Sequence, residues 1–418
     1  MKKSLAGTAV WTALSTAIKI AVGLLLMKLF TLQFGSQGLG QAANFMTLLT
    51  VLGAFAGAGI FNGVTKYVAE FEKNPPQLTA LFATSGAIVV GFSALLAVGF
   101  WLFSAPISQW LFYSADFQNV VIATGFCQFG IALSNYALAI LKGYRHAKGT
   151  AISTIVGVLL GLVAFLISLY GFGYQGALIG LAIMPALTVF PAFFFLKRQL
   201  QGVGFLPNLA KFSPDLTAKL LKFSLMVLIT AITLPVGYVL LRDLLMANYS
   251  LEAVGLWQAM SKISDAYLQF ITAAFSVYLL PTFAKLTEKS AIKQELVKFL
   301  RIVAVAVIAV SLTIFALKKW IILLLYSEHF LAMADLFQWQ LIGDIFKVLA
   351  YIFGYLIVAK SALKLYILAE VLQFSLLVGF GYWLIPTHGA IGATQAYAIT
   401  YLVYFGVCVV GALRFFGR

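Results

Sequence analysis

The chain has 418 residues, 62% of them hydrophobic and 10% charged, with a mean hydropathy of +1.00 and a formal net charge of +15. A soluble globular protein carries roughly 25% charged residues, so this composition excludes one and marks an integral membrane protein. Apolar runs of about 20 residues suit membrane helices rather than the alternating strands of a barrel. The positive charge reads as topology, not as nucleic-acid binding, once its placement is followed along the chain.

The fold class this predicts is all-α, with twelve membrane spans. They run over 8–32, 40–69, 79–104, 117–141, 150–171, 175–196, 217–245, 255–282, 297–317, 331–359, 362–385 and 391–414. The N-terminus is basic but lacks a short apolar core followed by a small-residue cleavage site, so it reads as a retained first span. Span 1 carries Lys19 and Lys28. Span 2 is rich in glycine, with Gly53, Gly57, Gly59 and Gly63 spaced for close helix packing. Lys66 closes it. Lys142 and Arg145 follow span 4. Pro185, Pro191 and Pro235 interrupt helical hydrogen bonding and are candidate kinks or hinges.

Span 8 carries a polar stripe. Gln258, Lys262, Asp265, Gln269, Thr272 and Ser276 fall on one helix face by the i, i+3, i+4 rule. Charge at membrane depth is costly, so that face is expected to look onto protein or a wet path. Span 10 repeats the theme with Gln340, Asp344, Lys347 and Tyr351, and span 11 adds Glu370 and Gln373. Lys262–Asp265 and Asp344–Lys347 can pair at i, i+3, either as structural ion pairs or as working groups. Glu370 has no same-helix partner and is the candidate proton-linked carboxylate.

With the N-terminus in the cytoplasm, only Arg242, Lys318 and Lys319 fall on the far side, and Lys19, Lys28, Lys262 and Lys347 fall within spans. Every other lysine and arginine is cytoplasmic, as the positive-inside rule requires, and both termini are too. The chain also repeats. Gly38-Leu39-Gly40-Gln41-Ala42 answers Gly255-Leu256-Trp257-Gln258-Ala259, and Gly176-Ala177-Leu178-Ile179-Gly180 answers Gly389-Ala390-Ile391-Gly392. Two six-helix lobes, 1–196 and 217–418, joined by a cytoplasmic linker at 197–216, follow from this. A parallel repeat of that kind places its site between the halves.

No phosphate-binding GxxxxGK[ST] loop, HExxH or GxSxG motif occurs, and His146, His329 and His388 are scattered. Cys127 and Cys408 lie in apolar runs and form neither a disulfide framework nor a metal set. Nothing points to an enzyme, a metal or a cofactor; the expected class is a transporter.

Several stretches carry a wider likeness: AGAGIFNGVTKYVAEF (56–71), SDAYLQFITAAFSVYLLPTF (264–283), LFQWQLIGDIFKVLAYIFGYLIVAK (336–360), YILAEVLQF (366–374) and IPTHGAIGATQAYAITYLVYF (385–405). The chain resembles the Wzx-type flippases of the multidrug, oligosaccharidyl-lipid and polysaccharide exporter superfamily, over essentially its whole length. The resemblance implies two lobes in a V around a central cavity. It implies transfer of an undecaprenyl-diphosphate-linked oligosaccharide between the leaflets of the bacterial inner membrane, as in enterobacterial common antigen synthesis. A Wzy-type polymerase and a Wzz-type chain-length regulator would act on the same lipid.

On this reading Lys19, Lys28, Lys262, Lys347, Gln258 and Gln269 bind the diphosphate and acidic sugar. Asp265, Asp344 and Glu370 couple ions or gate, and Lys66, Lys142 and Arg145 form a basic cytoplasmic edge. An ion-coupled multidrug exporter and a flippase for another lipid-linked glycan, an O-antigen unit or a peptidoglycan precursor, are the alternatives. A passive membrane scaffold is disfavoured by the charges held within the spans.

Overall fold

A computed structural model describes residues 5–200, 211–360 and 362–417. Residues 201–210, half of the expected linker at 197–216, lie outside the described residues. Among those described there is no strand. The helices are α1 (Leu5–Phe55), α2 (Phe61–Phe71), α3 (Pro75–Leu102), α4 (Ser104–Phe112), α5 (Gln118–Gly143), α6 (Ala147–Ala186) and α7 (Val189–Gln199). They continue as α8 (Pro214–Asn248), α9 (Leu251–Lys285), α10 (Lys289–Ala316), α11 (Lys318–Leu325), α12 (Phe337–Ala359) and α13 (Leu363–Gly417). Eight stretches are long and apolar enough to cross a membrane among the described residues.

Three of those eight are helix pairs. α1, α6 and α13 each run through a glycine with a positive φ: Gly35 (φ 63°, ψ −165°), Gly173 (φ 59°, ψ −136°) and Gly389 (φ 57°, ψ −134°). That region of backbone space is essentially closed to residues with a Cβ, so glycine is what lets the chain reverse there. In α6 the reversal is plain from what each glycine faces. Gly157 meets Thr188, Gly161 meets Met184, Gly180 meets Phe165 and Gly176 meets Ser168, the pairing of two antiparallel arms. Gly392 meets Leu384 in the same way beyond Gly389. Gly176 and Gly392 therefore occupy like places, each three residues past a turn glycine, so the repeat read as 176–180 and 389–392 is offset by three residues from the structural match. With each pair taken as two and α9 added, the described helices supply twelve membrane-length segments.

Local chemistry sets the helix starts. Asn74 accepts from the Gln77 N–H at 3.3 Å, with Pro75 in the first turn of α3, and Ser250 accepts from the Ala253 N–H at 3.2 Å at the head of α9. Both are N-cap arrangements that satisfy orphan amide groups.

Span 2 differs from expectation. It is broken at 56–60, where Gly57, Ala58 and Gly59 all have positive φ (76°, 62° and 66°). Gly57 and Gly59 thus serve an unwound turn rather than helix-to-helix packing. Gly53 faces open space, although its carbonyl accepts from Asn135 Nδ2 at 2.7 Å, and Gly63 sits tightly against Phe223 and Leu220 of α8. Pro185 lies at the end of α6, Pro191 lies in the first turn of α7, and Pro235 lies inside an uninterrupted α8.

The contacts divide the chain into two units: Met1–Leu26 with Asn44–Ile232, and Met27–Ala43 with Thr233–Arg418. The first is built around Leu81, Phe82, Val64, Ile140 and Tyr136, whose hydroxyl meets Ser85 Oγ at 2.7 Å. The second holds two apolar clusters. One gathers Leu241, Leu245, Trp257, Ile385 and Tyr401, and the other Leu279, Phe283, Val348 and Ile352. Lipid tails are as apolar as leucine, so close packing and polar contacts, not the hydrophobic effect, must hold helices together in a bilayer. The crossing of Gly40 and Gly255 in the second unit is the tightest such contact: a methyl group on either would overlap a backbone carbonyl of the other helix, Leu251 or Ser36. These glycines belong to the two copies of the repeated G-L-x-Q-A motif, which the fold sets against each other.

Candidate functional site

The second unit holds a buried polar cluster on α9, α12 and α13. At its hub is Asp344, fully buried on α12. Its carboxylate accepts from Ser264 Oγ at 2.6 Å and from the Tyr267 hydroxyl, both on α9, and from the Tyr397 hydroxyl on α13 at 2.6 Å. Gln340 Nε2 adds a longer contact at 3.5 Å and reaches Ser264 Oγ at 3.2 Å. Ser264 and Tyr267 are one turn apart on α9, which puts both on the face towards α12. Three hydroxyls satisfy the carboxyl oxygens in a place water does not reach.

Lys347 lies one turn further along α12, 8% exposed. The i, i+3 spacing would allow an ion pair with Asp344, but none forms. The ion pairs among the described residues are Lys219–Asp215, Lys262–Asp265 and Lys298–Glu295. The Lys347 ammonium instead faces the rings of Tyr401, Tyr397 and Tyr351, at 5.0, 5.1 and 5.9 Å from their centroids. Desolvated cation–π contacts are worth about 2 kcal/mol, enough for an aromatic cage to compete with a salt bridge that must shed water from two charges.

Glu370 on α13 is 9% exposed, and its Oε2 has no hydrogen-bond partner. Gln373, one turn on, bonds back to the Ala369 carbonyl at 3.3 Å. Gln258 is buried on α9 and accepts from Arg242 Nη2 at 2.9 Å, with the guanidinium 5.9 Å from the Trp257 ring. By the positive-inside pattern Arg242 falls on the far side of the membrane. It is in fact a 5% exposed residue inside α8. Its place near a span end hid it from hydropathy, and its partner Gln258 lies on another helix, where spacing carries no signal.

The other expected residues make none of the hydrogen bonds that surround Asp344. Lys262 and Asp265 form a loose pair at 3.7 Å with side chains 30% and 53% exposed, and Gln269 is exposed. Lys28 donates to the carbonyls of Leu323, at 2.9 Å, and Tyr326. It therefore caps the C-terminal end of α11, where carbonyls lack helical partners and a cation is favoured. In the first unit Lys19 and Lys142 are exposed and close enough to repel. Lys66 is exposed over the rings of Tyr67 and Phe223, at 5.0 and 5.8 Å. Arg145 occupies a left-handed turn (φ 55°) between α5 and α6. No group of acidic, histidine or cysteine side chains able to hold a metal occurs among the described residues.

The model of a family described as polysaccharide biosynthesis proteins matches residues 34–335. The lipid III flippase of Escherichia coli (strain K12) is 55% identical over 406 residues, covering 97% of each chain. The chain belongs to the lipid III flippase family. It is accordingly a multi-pass membrane transporter, not an enzyme. Solved structures agree in fold. An inward-facing transporter of the multidrug-resistance MATE family, in the MOP superfamily, superposes with a TM-score of 0.81 at 13% identity, covering 96% of this chain and 94% of that one. The lipid II flippase MurJ superposes with a TM-score of 0.72 at 15% identity, over 97% and 87%.

For this flippase the capping role of Lys28 has a measurable consequence. Lys28→Met removes a charged donor from two helix-end carbonyls, a loss of about 1.5–3 kcal/mol for charge-assisted bonds. Purified Lys28→Met is expected to unfold several degrees below the parent, whereas Lys262→Met, losing only a half-exposed pair, should differ by less than about 1 kcal/mol. Equal thermal midpoints for all three proteins would show that the cap contributes nothing.

Proposed function

We propose that this flippase moves an undecaprenyl-diphosphate-linked oligosaccharide, the lipid III of its relative, from the cytoplasmic to the periplasmic leaflet of the bacterial inner membrane. The 55% identity to the Escherichia coli lipid III flippase over nearly the whole of both chains carries this reading. Both termini are cytoplasmic, and transport proceeds by alternating access of two six-helix halves, 1–196 and 217–418, about the 197–216 linker. A Wzy-type polymerase and a Wzz-type chain-length regulator take the product onward.

The diphosphate and acidic sugar are anions and need counter-charges in a medium that offers little water. Lys19, Lys262 and Lys347 supply them, with Gln258 and Gln269 as neutral donors. Lys28 serves by holding α11 in place. Lys66, Lys142 and Arg145 are the basic edge that meets the head group first. Asp265 tunes Lys262 through their loose pair. The carboxylates Asp344 and Glu370 differ in what they can do. Both oxygens of Asp344 already accept from hydroxyl donors, whereas Glu370 Oε2 is bonded to nothing. A proton can join or leave Glu370 without displacing a donor, so Glu370 is the carboxylate that links transport to a proton gradient.

The test of the substrate is a strain lacking this gene and its nearest paralogues. Its lipid-linked saccharides would be extracted and their leaflet read with a periplasm-restricted modifying enzyme. One oligosaccharide should accumulate on the cytoplasmic side and clear when the gene is restored; unchanged sidedness of every lipid-linked glycan rejects the reading. For the coupling, Glu370→Gln vesicles should transport at one rate with and without an imposed pH gradient. A Glu370→Gln protein that still responds to the gradient as the parent does removes this residue from the mechanism.

A further inference from the structure

Asp344 and Lys347 sit one helical turn apart, a spacing at which opposite charges ordinarily meet. They do not meet, and one side chain stands between them. The Tyr397 hydroxyl donates to Asp344 Oδ1 at 2.6 Å, while its ring faces the Lys347 ammonium at 5.1 Å. Tyr401 braces that ring edge-on, with centroids 4.8 Å apart. Room for the ring comes from Gly343, where a methyl group would overlap Tyr397 Cδ1. The two charges are thus satisfied in different ways. Asp344 has its oxygens filled by hydroxyls. Lys347 has its charge balanced by ring faces, which offer no lone pair to its N–H donors.

We propose that Tyr397 is a positioning residue that keeps Lys347 out of an ion pair with Asp344, so that its N–H donors stay available to the diphosphate of the transported lipid. The inference rests on the reading of Lys347 as a substrate counter-charge. A lysine captured by a neighbouring carboxylate would offer its donors to the wrong partner, and recovering them would mean parting two charges in a dry site. Tyrosine suits the task because one end donates a hydrogen bond to the carboxylate and the other presents a π face to the cation. Phenylalanine keeps the second function and loses the first.

The experiment uses the full-length purified flippase in proteoliposomes, with binding of undecaprenyl diphosphate and flipping of the lipid-linked glycan both measured. Tyr397→Phe frees Asp344 Oδ1 to accept from Lys347, and both activities are expected to fall at least tenfold with folding retained. Adding Asp344→Asn removes the competing charge, so the double variant should regain most of the lost binding. A merely structural tyrosine predicts the opposite, a further loss on adding the second substitution, and that result overturns the proposal. Gly343→Ala displaces the same ring by another route. Its loss should likewise be relieved by Asp344→Asn, which keeps the test intact should Tyr397→Phe fail to fold. Lys347→Met separates the two levels. If it binds and flips as the parent does, the counter-charge reading falls and the proposal with it. If it is inactive while Tyr397→Phe is normal, the reading stands and the positioning role falls alone.

Discussion

Asp344→Ala is expected to cost the flippase about 2–5 kcal/mol of stability, the largest effect of any polar substitution in the second unit. Two kinds of bond energy bound the loss. Interhelical hydrogen bonds measured inside membranes average about 0.6 kcal/mol each, which for three hydroxyls gives the lower figure. Charge-assisted bonds are worth about 1.5–3 kcal/mol each, and a buried donor left without an acceptor pays its full desolvation cost. Ser264, Tyr267 and Tyr397 would all be left so, and they come from two helices that the carboxylate ties to a third. The loss also removes one of the acidic groups around the buried Lys347 ammonium. Asp344→Asn keeps an oxygen acceptor and should retain much of the stability. Thermal unfolding of the purified variants checks this. Equal midpoints for Asp344→Ala and the parent would mean that the hydroxyl contacts contribute nothing net.

Gly255→Val is expected to be similarly severe for a different reason. At Gly255 the built methyl position overlaps the Ser36 carbonyl, and the Gly40 amide nitrogen is 3.1 Å away. Both obstacles are backbone, so no side chain can swing aside to relieve them. The helices must part, and overpacking of this kind costs typically 1–3 kcal/mol even where side chains can adjust. Parting them also withdraws the segment 27–43 from the second unit, with which it is grouped. A fall in folded yield and in thermal midpoint should accompany loss of transport. Gly237→Ala, whose methyl would meet only the Phe374 side chain, at a tight 3.3 Å that the ring can relieve, is the control. If Gly255→Val is as stable as Gly237→Ala, the close approach is not a requirement of the fold.

Much of the fold was open to reading because the bilayer imposes a simple code: long apolar runs, short polar breaks, basic residues on one side. The reversals at Gly173 and Gly389 fell between expected spans for that reason. The break at 56–60 did not announce itself, since apolar residues continue straight through it, and its glycines carry the same spacing that helix packing would use. The site was legible in its members more than in its connections. Asp344, Lys347, Gln258 and Glu370 stood out as polar groups in apolar helices. Their partners did not, because Tyr397 reaches Asp344 from 53 residues away and Leu323 reaches Lys28 from 295. Spacing along one helix tells which charges can meet. It says nothing of a tyrosine arriving from another helix to part them, nor of a helix end that claims a lysine.

The most direct test of the central claim is flipping itself, with purified protein and no other component. The flippase would be reconstituted into liposomes whose lipid-linked oligosaccharide begins in the inner leaflet, and an impermeant glycan-modifying enzyme outside would report arrival in the outer leaflet. Arrival that depends on the protein, and that fails with Lys347→Met, is the predicted result. Liposomes in which the protein leaves the glycan where it began, under an imposed ion gradient as well as without one, would contradict the account.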